Sequence, residues 1–269
     1  VRLIDAHNHL HDARLAPFRA ELIAELERGG IEAAVVNGTQ EDDWDEVAAL
    51  AKERAWVRPA FGLHPWYVNG RSPRWRERLA ELLVEFPHAS LGEIGLDRWK
   101  EGFDLEAQTE VLRAQWALAV EHERAATVHC LKAWGALRDF VREAPPAPRG
   151  FLLHSYGGAA EMVEGFVKHG AYFSFSGYFL QERKAAQREV FREIPLERLL
   201  VETDAPDMLP PAMTGVRLLA GGTLNSPTNL EFCYRGLAEL RGMPVEELAG
   251  QVAENFARLF GAAESKKPV

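Results

Sequence analysis

Leu3-Ile4-Asp5-Ala6-His7-Asn8-His9 is the stretch from which the rest of the chain can be read: a short apolar run that passes directly into a pair of histidines. Side chains alternate along a strand, so Asp5, His7 and His9 share one face and both imidazoles can aim at one point. Imidazole is the commonest neutral metal ligand, although a lone H-x-H also fits two half-exposed histidines on a strand edge. His11 falls in the following loop and is expected at the surface.

The same signature, a few apolar residues closed by polar groups or glycine, recurs at Ala33–Asn37, Trp56–Phe61, Ala89–Ile94, Ala125–His129, Phe151–His154, Ala171–Ser176 and Leu199–Glu202. Helical periodicity fills the intervals. Trp44, Val47, Ala48 and Ala51 lie on one face, Gln108–Glu121 forms another helix, and after Pro244 a stripe of Val245, Leu248, Val252, Phe256 and Leu259 suits a barrel exterior. Strict alternation of strands and helices implies parallel pairing through right-handed crossovers, and eight such strands predict a TIM-type (β/α)8 barrel. With 269 residues and no convincing linker, one domain over 1–269 is expected. No dinucleotide-binding glycine fingerprint follows the first strand. The proline-rich segment Ala144–Arg149 reads as a tight loop, and Ala205–Pro227, without periodicity after the last strand, is placed to act as a substrate lid.

Composition narrows the function. A hydrophobic fraction of 47% with 26% charged residues excludes disordered and fibrous classes. A net charge of −9 repels polyanions, so any nucleic-acid role needs a local basic patch or bound cations. Cys130 and Cys233 make neither a disulfide framework nor a C-x-x-C pair, which suits a reducing compartment. The N-terminal residues read as a strand rather than a cleavable leader, and no apolar run approaches a membrane span; a cytoplasmic protein without an obligate protein partner is expected.

The chemistry-bearing residues sit at strand ends. Glu93 closes an otherwise apolar strand in Gly92-Glu93-Ile94-Gly95-Leu96-Asp97, where a buried carboxylate implies a nearby cation, or else a salt bridge to a barrel lysine or arginine. Asp97 reads as a turn or helix cap. His129 and His154 each end a strand and, taken singly, fit hydrogen-bonded structural histidines. In Val201-Glu202-Thr203-Asp204, the period of two puts Glu202 and Asp204 on one face, Asp204 toward the mouth and Glu202 deeper, in a core salt bridge. Together His7, His9, Glu93, His129, His154 and Asp204 form a nitrogen and oxygen donor set for one or two divalent ions. Gly-x-Ser-x-Gly and P-loop patterns are absent.

These motifs resemble the TatD-like family of metal-dependent deoxyribonucleases, within the amidohydrolase superfamily. The resemblance rests on D-x-H-x-H at Asp5–His9, G-x-H-P at Gly62–Pro65 and G-E-I-G-L-D at Gly92–Asp97. It continues through His129, His154, Ser176-Gly177, E-T-D-A-P at Glu202–Pro206 and N-F-x-x-L-F at Asn255–Phe260. It implies that His7, His9 and Asp204 hold one metal, His129 and His154 a second, and Glu93 bridges them, with magnesium most often named and manganese or zinc as alternatives. It also implies His64 near the substrate phosphate and a DNA 3′ end as substrate; on chemical grounds Asp204 is expected to act as general base toward a metal-activated water. Two departures stand out. Leu131 fills a slot where many members carry arginine, and Asn225-Ser226-Pro227 lacks the preceding basic residue; Lys132, Arg217 and Asn225 are the candidate substrate contacts in their place. The alternatives are hydrolysis of a small amide, lactone or phosphoester by a barrel of the same superfamily, and a barrel that binds without catalysis.

Overall fold

The computed structural model describes residues 3–261. Eight strands pair in chain order: β1 Leu3–Asn8, β2 Ile31–Asn37, β3 Val57–Phe61, β4 Ser90–Asp97, β5 Ala126–Leu131, β6 Phe151–Leu153, β7 Ala171–Ser176 and β8 Leu199–Glu202. All seven successive pairings are parallel. The ring closes where the Asp204 amide donates to the His7 carbonyl at 3.0 Å and the His9 amide donates to the Ala205 carbonyl at 2.8 Å. The expected TIM-type barrel is therefore the fold.

The crossovers carry α1 Arg19–Arg28, α2 Trp44–Glu53, α3 Trp75–Glu85, α4 Leu105–Glu121, α5 Trp134–Glu143, α6 Val163–Lys168 and α7 Ala185–Glu193. Helices α8 Leu230–Arg241 and α9 Val245–Phe260 follow the last barrel strand. The stripe read after Pro244 is real: Leu248, Val252, Phe256 and Leu259 are fully buried. Asn255, on the same side of α9, donates to the carbonyls of Leu196 and Leu199, which pins the start of β8.

One helix sets the position of two strand ends. Gln108 and Gln115 are seven residues apart on α4, two turns, so they share a face. Gln108 exchanges hydrogen bonds with the Asp97 backbone at 2.8 and 2.9 Å, and Gln115 does so with Leu63 at 2.7 and 3.1 Å. Both amides are buried, so each turns the end of a strand into a fixed point.

Strand β4 is wholly buried, and its glycines explain how it fits. A Cβ on Gly95 would lie 1.9 Å from the His129 carbonyl oxygen, and one on Gly92 would lie 2.8 Å from both Asn37 Oδ1 and Thr127 Cβ. Gly95 also has φ +147°, which side chains disfavour. Gly95→Ala is expected to destabilise the protein by about 3 kcal/mol, read as a lowered urea midpoint. At Gly70 an added methyl meets open space, and Gly70→Ala should stay within about 0.5 kcal/mol.

The segment after β8 is not structureless. It forms a small hairpin, β9 Leu218–Leu219 with β10 Leu224–Asn225, and Leu219 packs into an apolar cluster with Leu15 and Leu22. Arg217 adds ion pairs to Glu21 and Glu25 on α1. The expected free lid is, over this half, anchored to the barrel.

Candidate metal centre

His7 and His9 rise from the end of β1 with Nε2 atoms 3.2 Å apart. Asp204 Oδ1 lies 3.3 Å from His7 Nε2 and 3.4 Å from His9 Nε2, and Glu93 Oε2 lies 3.5 and 3.3 Å from the same two atoms. All five of these distances lie between 3.2 and 3.5 Å. A point about 2 Å from His7 Nε2, His9 Nε2 and Asp204 Oδ1 exists within this group, the usual bond length from nitrogen or carboxylate oxygen to a divalent ion such as zinc.

The other carboxylate oxygen faces a second group. Glu93 Oε1 is 3.0 Å from His129 Nδ1 and 2.9 Å from His154 Nε2, which are themselves 3.1 Å apart, and His64 Nε2 stands 3.5 Å away. Ligand-atom groupings able to hold an ion fall in the same place: His7, His9 and Asp204; His7, His154 and Glu202; His64, Glu93 and His129.

Neighbouring groups fix the ring orientations. The His9 Nδ1–H donates to the Asn37 carbonyl at 2.7 Å, which directs the Nε2 lone pair inward. His129 Nε2 donates to Asp97 Oδ2 at 2.8 Å, so Nδ1 faces the cluster, while Asp97 Oδ1 caps the turn by accepting from the amides of Trp99 and Lys100. The cap expected of Asp97 is present, with an orienting role in addition. The Trp66 amide donates to His64 Nδ1 at 3.1 Å, and burial pushes this histidine down to about 3, so its proton resides on Nε2.

Asp5 accepts from the His7 and Thr203 amides, the Thr203 hydroxyl and the Asn8 amide, and so ties β1 to the turn that bears Asp204. Burial nevertheless raises its carboxyl to about 7. Glu202 is fully buried, and its partner in the expected core salt bridge is His154, whose Nδ1 lies 3.7 Å away; the Ser155 and Ser174 hydroxyls also donate to it. His11 is buried rather than at the surface, with Nε2 3.4 Å from Asp43, which itself caps the Thr39 turn.

Three strand ends turn through left-handed residues at the rim, with φ +55° at Lys132, +39° at Ser155 and +51° at Asp204. Such positions cost energy for most side chains and cluster at functional sites. Of the expected substrate contacts, His64 joins the cluster and Lys132 is exposed at the mouth. Arg217 and Asn225 are not brought to it. Arg217 is held by Glu21 and Glu25, and the buried Asn225 amide binds the Thr203 carbonyl while its oxygen accepts from Asn229. Asn37, Gln108 and Gln115 escaped the sequence reading because neutral amides at these spacings announce no chemistry.

The electrostatics fit a cation. Burial opposes charge throughout, yet hydrogen bonds and charge from Asp204 and Glu93 hold His9 well above the usual imidazole range, and Glu93 with Glu202 does the same for His154. Burial likewise opposes ionisation of Glu93 and Asp204, and the facing imidazoles override it and lower both. Without metal, protons on the imidazoles compensate the carboxylates, and a divalent ion would displace them. His7 Nδ1 is buried with no hydrogen-bond partner, leaving that ring anchored by stacking on His154 at 4.1 Å.

A pH dependence follows. Raised histidines stabilise the metal-free protein fully below their unfolded value of 6.5, and that contribution is lost as pH rises through the folded values. Depressed carboxyls stabilise it fully above 4.5 for Glu93 and 3.8 for Asp204, and that contribution is lost as pH falls through their folded values. Chelated protein should thus melt highest at about pH 4.5–6.5 and lower at pH 8. Adding metal should stabilise it more at pH 8 than at pH 5.5, since fewer protons must leave; a metal-induced Tm shift that is larger at pH 5.5 would contradict this.

The family profile described as TatD related DNase matches residues 4–261. The metal-dependent hydrolase YjjV of Escherichia coli K12, whose activity is uncharacterised, is 30% identical over 264 residues, covering 96% of this chain and 98% of that protein. The 3′-5′ ssDNA/RNA exonuclease TatD of Erwinia amylovora is 29% identical over 261 residues, covering 96% and 100%. The crystal structure of E. coli YjjV superposes with a TM-score of 0.86 at 29% identity, covering 97% of this chain and 98% of that one. No helix among the described residues is long and apolar enough to cross a membrane. A profile match over nearly the whole chain, joined to a centre of this construction, places the protein: the chain belongs to the TatD-related DNase family of metal-dependent hydrolases.

Proposed function

We propose that this chain removes nucleotides from the 3′ end of single-stranded nucleic acid, using two divalent ions. The observation that carries the reading is the division of Glu93, one oxygen toward His7 and His9, which Asp204 also faces, and the other toward His129 and His154. A single carboxylate shared between two donor sets suits a pair of ions flanking one phosphoryl group. The substrate class is drawn from relatives of similar length, such as the exonuclease of Erwinia amylovora.

His7, His9 and Asp204 would hold one ion and His129 and His154 the other, with Glu93 between. When bound, divalent ions supply Lewis acidity toward the phosphoryl oxygens and make water easier to deprotonate. Asp204 Oδ1 faces both imidazoles of β1, which leaves Oδ2 to accept the proton of the attacking water. The neutral His64, with its proton on Nε2, is a hydrogen-bond donor for a phosphate oxygen. Asp97 and the Asn37 carbonyl keep His129 and His9 in register throughout.

A second reading, hydrolysis of a small phosphoester, amide or lactone, draws on the net charge of −9 and on Arg217 being held by Glu21 and Glu25 instead of facing a phosphate. The two are separated by incubating the protein with 5′-labelled single-stranded DNA and magnesium or manganese, beside a panel of small amides, lactones and esters. Stepwise loss of mononucleotides supports the proposal. Turnover of a small ester without nucleotide release overturns it in favour of the second reading.

A further inference from the structure

Six large hydrophobic side chains are exposed among the described residues, and four of them, Trp66, Trp99, Phe103 and Leu131, belong to β5 and the loops after β3 and β4. They therefore share one sector of the rim that carries the metal centre. Trp66 is 39% exposed and Trp99 57%. Neither is there to fill the core.

The arrangement runs outward from the catalytic histidines. The Trp66 ring centre is 4.9 Å from that of His64 and 6.4 Å from that of His129, and Trp99 lies 6.3 Å further out with its plane only 31° from that of Trp66. Both indoles keep ring surface open to solvent, one face of Trp66 being shared with Lys100. Cations are interleaved with them: Lys100 Nζ lies 5.1 Å over the Trp66 ring, and the Arg98 guanidinium 5.5 Å over Phe103. Exposed aromatic faces alternating with positive charge, on a chain otherwise acidic, match bases alternating with phosphates in a single strand. Gln108 and Gln115 hold the two loops rigidly enough to present them.

We infer that Trp66 and Trp99 form a stacking shelf for the nucleobases next to the scissile phosphodiester, so that this chain selects unpaired ends by their bases. A paired end keeps its bases stacked inside the duplex and cannot use the shelf. The shelf also offers a reason why Leu131 is tolerated at the mouth: apolar contact to a base replaces a phosphate-binding arginine. This deepens the reading given under Proposed function and rests on it.

The test is a cycle on metal-loaded protein, comparing wild type with Trp66→Ala/Trp99→Ala on two oligonucleotides that differ only in whether the nucleotide next to the 3′ end is abasic. For wild type, kcat/KM should fall roughly ten- to hundredfold on removing the base, mostly through KM, whereas the variant should scarcely distinguish the two. Relative to bis(p-nitrophenyl) phosphate, which carries no base, the variant should lose oligonucleotide cleavage by a similar factor. Trp66→Phe should restore most of it. Binding is read separately, as quenching of tryptophan fluorescence by an oligonucleotide blocked with a 3′ phosphorothioate, which should shrink in the double variant. Equal base dependence in wild type and variant would overturn the shelf while leaving exonuclease action standing. A variant that changes oligomeric state and keeps wild-type base selectivity would show the patch to be an interface between copies, and would also overturn it. If wild type hydrolyses bis(p-nitrophenyl) phosphate but no oligonucleotide, the exonuclease reading itself fails and the shelf falls with it.

Discussion

Glu93→Gln should lower kcat by about a thousandfold or more, equivalent to roughly 4 kcal/mol of transition-state stabilisation, and should take bound metal below two ions per chain. The reason is geometric as well as electrostatic. Both oxygens of Glu93 are engaged, Oε2 at 3.3–3.5 Å from the β1 imidazoles and Oε1 at 2.9–3.0 Å from those of β5 and β6. An amide keeps the shape but can present an acceptor to only one group. Its NH2 would face the other, turning a ligand into a donor aimed at imidazole nitrogens or at a cation. Removal of the charge also takes away the one carboxylate that faces the imidazoles of His7, His9, His129 and His154 together, so the variant should bind whatever metal it retains more weakly. Metal content by elemental analysis, alongside kcat on single-stranded DNA, checks both halves. A Glu93→Gln protein with two tightly held ions and near-normal turnover would end the proposal that this residue joins two sites.

How much of this centre the sequence discloses follows from periodicity. A strand has a repeat of two, so D-x-H-x-H and E-T-D place their polar groups on one face with no knowledge of the rest of the chain. Parallel β/α alternation then carries every strand end to a single rim, and for that reason residues as distant as His7 and Asp204 could be grouped beforehand. What stayed hidden depends on contacts between elements that no local repeat encodes. Strand β4 continues through Asp97, beyond the apolar run that ends at Ile94, because its partner β5 extends to Leu131 and register pairs the two residues. Asp97 could be recognised as a cap but not as the partner of His129, a residue 32 positions away. Glu202 could be placed deep but not paired, since its hydroxyl donors on β7 and after β6 carry no charge to advertise them. Arg217 looked available because an arginine in a loop does not reveal that Glu21 and Glu25, nearly two hundred residues earlier, hold it. Exposure is invisible in the same way: nothing in the sequence around Trp66 and Trp99 tells that their rings open at the rim.

Asp204→Asn is expected to reduce kcat by at least about a thousandfold at neutral pH while leaving the fold intact. Asparagine is the informative substitution because residue 204 sits at φ +51°, a conformation asparagine adopts readily and alanine does not. Any loss then reports on the side chain and not on the turn. The carboxylate is held ionised by His7 and His9 against the cost of burial, so it is available to accept a proton from water across the neutral range. An amide cannot. Loss of a ligand and loss of a base make different predictions, and the pH profile separates them. If Asp204 is the proton acceptor, hydroxide from bulk solvent can partly replace it, and the variant's kcat at saturating metal should climb about tenfold per pH unit between roughly pH 7 and 9 while wild type stays flat. If it serves only to hold metal, raising the metal concentration should restore activity and the two profiles should keep the same shape. The proton-accepting role is abandoned if saturating metal returns the variant to wild-type turnover at pH 7.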